Sequence, residues 1–113
     1  MSESTTAGAA SAAEVSAEYL ADIRLRVRTS ADKLDGEIDD LIQAARAALV
    51  LGGVLPDRAA DESDPLVKQA VSTYVKAEFG LDNEDAEKYR TSFEKQKIAL
   101  ALASDYIEAA EEV

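Results

Sequence analysis

Residues 64–106 read DPLVKQAVSTYVKAEFGLDNEDAEKYRTSFEKQKIALALASDY. Asp64-Pro65 is a helix start: the aspartate is a good N-cap, and proline at the first helical position gives up an N–H that has no intrahelical partner. Leu66, Val67, Ala70, Val71, Tyr74 and Val75 follow at helical spacing and make a wide apolar face, which marks this helix as the central one. Gly80 ends it. Asp82 caps the next helix, with Glu84 and Asp85 complementing the dipole in its first turn. That last helix is expected to run from about Asn83 to Ser104 or beyond. Ala86, Tyr89, Phe93, Gln96, Leu100 and Ala103 fall within one arc at about 100° per residue. Ile98 and Leu102 lie on the opposite side. One exposed apolar residue needs no explanation, but a pair four apart on the back of a helix suggests a second contact, either intersubunit or with a core that wraps the end of the helix.

Upstream, DGEIDDLIQAARAALVLGG predicts a helix opening near Asp35, with Glu37 in the first turn where the dipole favours negative charge. Its buried face is Ile38, Leu41, Ile42, Ala45 and Leu49. Gly52-Gly53 stops it by offering the left-handed backbone that helix C-termini use, and Val54 and Leu55 are placed to fold back on the last turn. Pro56–Ser63 reads as a polar loop. Nearer the N-terminus, a helix is expected from about Glu14 to Arg28, with Leu20, Ile23 and Val27 in one narrow stripe. Thr29–Leu34 reads as a connection, because its small polar residues compete for backbone hydrogen bonds outside a helix. Residues 1–13, MSESTTAGAASAA, have no apolar period and are expected to be disordered. The tail after Tyr106 carries Glu108, Glu111 and Glu112, whose charges oppose the dipole at a helix C-terminus.

The fold expected is therefore all-α, a four-helix bundle-like domain with a long C-terminal helix and flexible termini. Its domains are a disordered extension at 1–13, a helical domain at 14–104 and an acidic tail at 105–113. The expected core is Leu20, Ile23, Val27, Ile38, Leu41, Ile42, Leu49, Val67, Val71, Tyr74, Tyr89, Phe93 and Leu100.

The 113 residues contain no His and no Cys, with 12 Lys and Arg against 23 Asp and Glu, a net charge of −11. That inventory excludes thiolate chemistry, the usual zinc sites and imidazole acid–base catalysis. The charge repels nucleic acid at long range and argues against sequence-specific DNA binding. Solubility explains it; so does a surface that DNA must pass without sticking. No apolar run approaches the roughly 20 residues that span a bilayer. Nor does the N-terminus show the basic-then-apolar order of a signal peptide.

Chemistry-bearing constellations are lacking. Asp39-Asp40, Asp61-Glu62, Glu84-Asp85 and Glu111-Glu112 are adjacent carboxylates, which point about 100° apart on a helix and so read as solvated faces. LDNEDAE lacks the alternating oxygen ligands, central Gly and distal Glu of a calcium loop. Gly52-Gly53 follows a helix where a phosphate cradle would open one. No catalytic, cofactor-binding or metal residue is assigned, and no cofactor is expected. The scarce cations are more informative. Arg24, Arg26 and Arg28 form, with Lys33, the positive cluster of the N-terminal half: ordinary surface charge, or a basic patch that meets an acidic one on a neighbouring subunit. Arg46 lies beside the apolar face of its helix, as a partner-binding arginine or a snorkelling one. Ile98, Leu102, Arg24, Arg26, Arg28 and Arg46 are the candidate contacts with a neighbouring subunit or another partner.

Taken in order, the segments ADIRLRVR, DGEIDDLIQAA, LGGV, DPLVKQAVSTYVKAEFG, LDNEDAEKY and LALASDY resemble the small head-tail connector (adaptor) proteins of tailed bacteriophages, over about Leu20–Tyr106. Each segment is weak alone; their order and spacing are specific. The Ala/Ser-rich extension and the acidic end after Ser104 depart from the family pattern. The resemblance implies a helical structural protein of the virion neck, made in the host cytoplasm, and not an enzyme. It implies a homo-oligomeric ring, commonly of twelve subunits, that docks under the portal protein. Such a ring extends the DNA channel and presents a platform to the next neck or tail-completion protein. It implies no membrane association. The competing expectation is a small acidic helical regulatory or chaperone-like module that binds a basic partner.

Overall fold

The computed structural model describes residues 14–27, 35–79 and 84–107, and no strand occurs among them. The protein is all-α. Its elements are α1 (Ala17–Arg26), α2 (Asp35–Leu51), α3 (Pro56–Ala59), α4 (Pro65–Glu78), α5 (Ala86–Leu102) and α6 (Ser104–Ile107). Four of these are long helices, as the sequence predicts; α3 and α6 are single turns. The expected disorder at 1–13, the Thr29–Leu34 connection, the Gly80 stop and Asp82 cap, and the last glutamates all lie outside the described residues.

α4 is the centre, packed against α1, α2 and α5. Its start follows from Asp64, whose carboxylate accepts the Leu66 and Val67 N–H groups at 2.9 and 3.2 Å, with Pro65 at the first position. Val67, Ala70, Val71, Val75 and Ala77 are buried. So are two hydroxyls, Ser72 and Thr73, which donate to the Lys68 and Gln69 carbonyls one turn back. That back-bonding leaves no buried hydroxyl unpaired on this helix, at the cost of a little helix strength. Leu66, expected in the apolar face, is more than half exposed. It sits in the first turn, on the open wall of a hollow whose far side is formed by Gln96 and Ala99.

α2 buries Ile38, Ile42, Ala45 and Leu49 completely and Leu41 partly. It ends in the two bonds of a Schellman motif: Val54 N–H donates to the Leu49 carbonyl and Gly53 N–H to the Val50 carbonyl, both at 3.0 Å. Gly53 carries the left-handed backbone this requires, with φ of 117°. Val54 then buries beside Leu49, the apolar contact that accompanies the motif. The segment expected as a polar loop contains α3, which tucks Ala59 into the core.

α1 begins two to three residues later than expected, at Ala17, because Ser16 is the cap: its hydroxyl accepts the Tyr19 N–H at 3.1 Å. Its buried residues are Tyr19 and Ile23, four apart, while Leu20 and Val27 are half-buried against the core. α5 also begins later than expected, at Ala86. It docks through Phe93 and Leu100, and the Phe93 ring meets Tyr74 edge-on with centroids 5.1 Å apart. Tyr89, expected in the core, is half-buried and outside the core cluster, with Lys76 Nζ 5.7 Å from its ring centre. The C-terminal helix is not continuous. Ala103 is extended (φ −92°, ψ 124°), and the chain turns there into α6. The turn has a purpose: the Tyr106 carbonyl accepts the Leu55 N–H at 2.8 Å, and the Tyr106 hydroxyl donates to Asp64. A domain boundary drawn after Ser104 thus falls inside a docked turn.

Candidate assembly surfaces

The cations expected at a surface divide. Arg46 is 4% exposed. Its Nη2 lies 3.4 Å from Glu62 Oε2, and its guanidinium stands 5.5 Å from the centre of the Tyr19 ring. Placed this way it is an internal tie, and its side chain also forms part of the wall of a groove between α2 and α3. Its physical reason is a flank of α2 that faces the junction of α1 with the α3–α4 connection, where a delocalised cation can stack and pair at once. Arg26 is exposed and lies 3.7 Å from Asp22 one turn back, and Arg24 is half-buried on the same helix. Arg28 lies outside the described residues.

Around Arg46 the polar groups form one junction. Glu62 accepts from Ser16 Oγ at 2.6 Å and from Ser16 N–H at 2.9 Å. Lys68 pairs with Asp22 and also stands 5.4 Å from the Tyr19 ring, on which two cations therefore converge. Burial pushes the Tyr19 phenol up to about 12, against the opposing pull of Arg46. Burial also pushes Glu62 up, but the Ser16 hydrogen bonds and the Arg46 charge outweigh it and hold the carboxyl below its ordinary value. Asp22 is lowered chiefly by the Lys68 hydrogen bond. Every member has a structural partner, and the arrangement locks α1 to α2 and α4. It offers neither a nucleophile nor an acid–base pair. The sequence signals the junction only through the Ser16-x-x-Tyr19 start of α1, which the helical stripe alone does not mark.

Among the described residues, besides Leu25 exposed on α1, two apolar surfaces lie outside the core. The first is on α5. Leu102 is 78% exposed and Ile98 54%, one turn apart on the face turned from the core. Beside them Ala99 and Ala103 line a hollow of about 160 Å³, closed on its other wall by Leu66, Gln69 and Tyr106. Ala99 and Ala103 stand between Leu102 and Leu66 around the helix, so the exposed aliphatics form one strip. The second surface is on α2. Gln43, Arg46, Ala47, Val50 and Leu51, with Pro56, Ala59 and Ala60 of the α3 segment, line a groove of about 310 Å³. Leu51 at its edge is 88% exposed. The sequence did not single out this groove: its helical stripe is masked by alanines.

Gly52 faces α5, where an added Cβ would stand 2.9 Å from the Lys97 side chain, and Ala48 faces Phe93. Ala47 and Leu51, the residues just before them in the chain, point about 100° further round the helix. Among the described residues no group of His, Cys, Asp or Glu side chains is placed to hold a metal ion, and no helix is long and apolar enough to cross a membrane.

Uncovered aliphatic side chains on α5 and α2 are a feature expected of an assembly component. Residues 20–107 match the model of a protein family described as phage connector protein. The match covers most of the chain, and the chain belongs to that family. Its limits agree with the Leu20–Tyr106 span of the sequence resemblance and take in α6. No curated protein and no solved structure matches the chain.

Proposed function

We propose that this connector is the adaptor that forms a homo-oligomeric ring beneath the portal, in twelve copies where it follows the portal's symmetry. The ring extends the DNA channel and gives the next neck or tail component a platform. Residues 14–107 serve as the connector domain, and assembly takes place in the host cytoplasm. The observation that carries the reading is the Ile98–Leu102 pair: two large aliphatics on an otherwise charged helix face that the fold leaves uncovered. Apolar surface of that kind marks an interaction site in a protein of a connector family. A net charge of −11 suits a lumen past which DNA slides without adhering.

Portal-bearing particles lacking this chain, incubated with it and sedimented, test the proposal. A stoichiometric collar in the pelleted particles is expected with the wild type and is expected to be lost with Ile98→Asp or Leu102→Asp. Both variants should keep the wild-type melting transition, since exposed substitutions usually change stability by less than about 0.5 kcal/mol. A chain that stays in the supernatant as a monomer would refute the proposal.

A further inference from the structure

The exposed faces of α5 and α2 carry charged and aliphatic groups in the same order, with opposite charge. On the outer face of α5, Lys88, Lys95 and Leu102 recur at seven-residue intervals, with Ile98 beside them. The acidic neighbours on that face are engaged within the helix: Glu94 by Lys97 at 2.9 Å, and Glu87 by Arg90 at 4.0 Å. Lys88 and Lys95 have no carboxylate partner among the described residues. The face is thus cationic in its N-terminal half and aliphatic in its C-terminal half. The outer face of α2 runs in the same order with the opposite charge: Glu37 and Asp40 first, then Ala47 and Leu51 at the groove. Lys88 to Leu102 and Glu37 to Leu51 each span fourteen residues, about 21 Å along a helix.

We infer that the occupant of the α2–α3 groove is a second copy of this chain, with its α5 ridge lying parallel to α2. Lys88 meets Glu37, Lys95 reaches Asp40 across one turn, and Ile98 and Leu102 enter the groove between Val50, Leu51 and Pro56. The direction follows from charge. An antiparallel placement sets Leu102 against Asp40 and Lys88 against Leu51, burying charges against aliphatics. A two-fold pairing of α5 with itself sets lysines against Leu102. Only a contact between the two different faces matches both ends, and such a contact is heterologous: repeated, it closes into a ring or runs on as a filament. The inference rests on the ring reading above and adds which surface meets which.

Because the chain has no cysteine, engineered thiols report this contact cleanly. Leu51→Cys and Leu102→Cys, both at exposed positions, are assembled on portal-bearing particles lacking this chain and then oxidised. A mixture of the two single variants is expected to give disulfide-linked dimers, each variant alone none, and the double variant a ladder of linked copies. In parallel, Lys88→Glu with Lys95→Glu should lower collar occupancy at least about tenfold through like-charge contact, and Glu37→Lys with Asp40→Lys in the same chain should restore it. Dimers from Leu102→Cys alone would overturn the inference in favour of a two-fold contact. A complete wild-type collar with no link between positions 51 and 102 would overturn it while leaving the ring intact. Failure of the wild type to form any collar would overturn both.

Discussion

Replacing Glu62 by alanine should destabilise the monomer by about 3 kcal/mol, because one carboxylate holds three parts of the fold. It takes two hydrogen bonds from Ser16, at 2.6 and 2.9 Å, and stands 3.4 Å from the Arg46 guanidinium. The Ser16 bonds lie at an exposed edge, so each contributes near the lower end of the range for a charged acceptor, about 1 kcal/mol net. The Arg46 side chain is 5% exposed, whereas Glu62 is 29% exposed. A fully buried arginine stripped of its carboxylate costs about 3–5 kcal/mol, and solvent access on the Glu62 side reduces that to about 1–2. Replacing Arg46 by methionine should cost less, since the remaining carboxylate can turn to water and the methionine fills the same flank of α2. In a double-mutant cycle measured by equilibrium urea unfolding, the two changes should couple by more than about 1 kcal/mol. A loss below about 1 kcal/mol for Glu62→Ala, with strictly additive effects, would show that the junction does not hold α1 and the α3–α4 connection together.

Phe93→Ala should cost about 3–5 kcal/mol in the same assay, as a buried ring packed on Tyr74, while the half-buried Tyr89→Ala should cost no more than about 1–2; equal losses would contradict the packing of α5. Gly53→Ala should lower stability by about 1–2 kcal/mol because of the φ of 117°, and Gly52→Ala by less, since only the flexible Lys97 stem must move. Thermal melts followed downward in pH should show stability constant near neutrality and falling below about pH 4, the ordinary carboxyl range. Asp22, Asp61 and Glu62 bind protons less tightly folded than unfolded, so their contribution is complete above that range and disappears as pH drops through their lowered values. Asp22→Asn and Glu62→Gln together should flatten the acid limb, and an unchanged limb would exclude these groups as its source. A spectrophotometric titration should find Tyr19 ionising near pH 12, a transition that Tyr19→Phe removes.

The helices themselves were legible from residue chemistry. Asp64-Pro65 and Gly52-Gly53 declare helix ends because their backbones and side chains satisfy orphan N–H and carbonyl groups locally, with no help from the rest of the fold. Burial was less legible where a long-range partner decides it. Tyr19 outranks Leu20 in the core because Arg46 and Lys68, distant in sequence, converge on its ring. The break at Ala103 follows from a hydrogen bond to Leu55 and another to Asp64, neither visible in a helical period that runs through LALASDY. Of the assembly surfaces, the α5 pair stood out because Ile98 and Leu102 are large and off the core arc. The α2–α3 groove did not, since alanines carry its stripe and α3 read as a loop. Arg46 shows the opposite difficulty: a cation at the edge of an apolar face is ambiguous until its carboxylate is found, and Glu62 lies sixteen residues away.

The most direct test of the connector ring is a reconstruction of the phage neck containing this chain. The expected result is a closed collar of this chain directly beneath the portal, with an α5 helix at every subunit seam and DNA density running through an acidic lumen. A collar built of some other protein at that level, or a neck in which this chain is absent from the assembled particle, would contradict it.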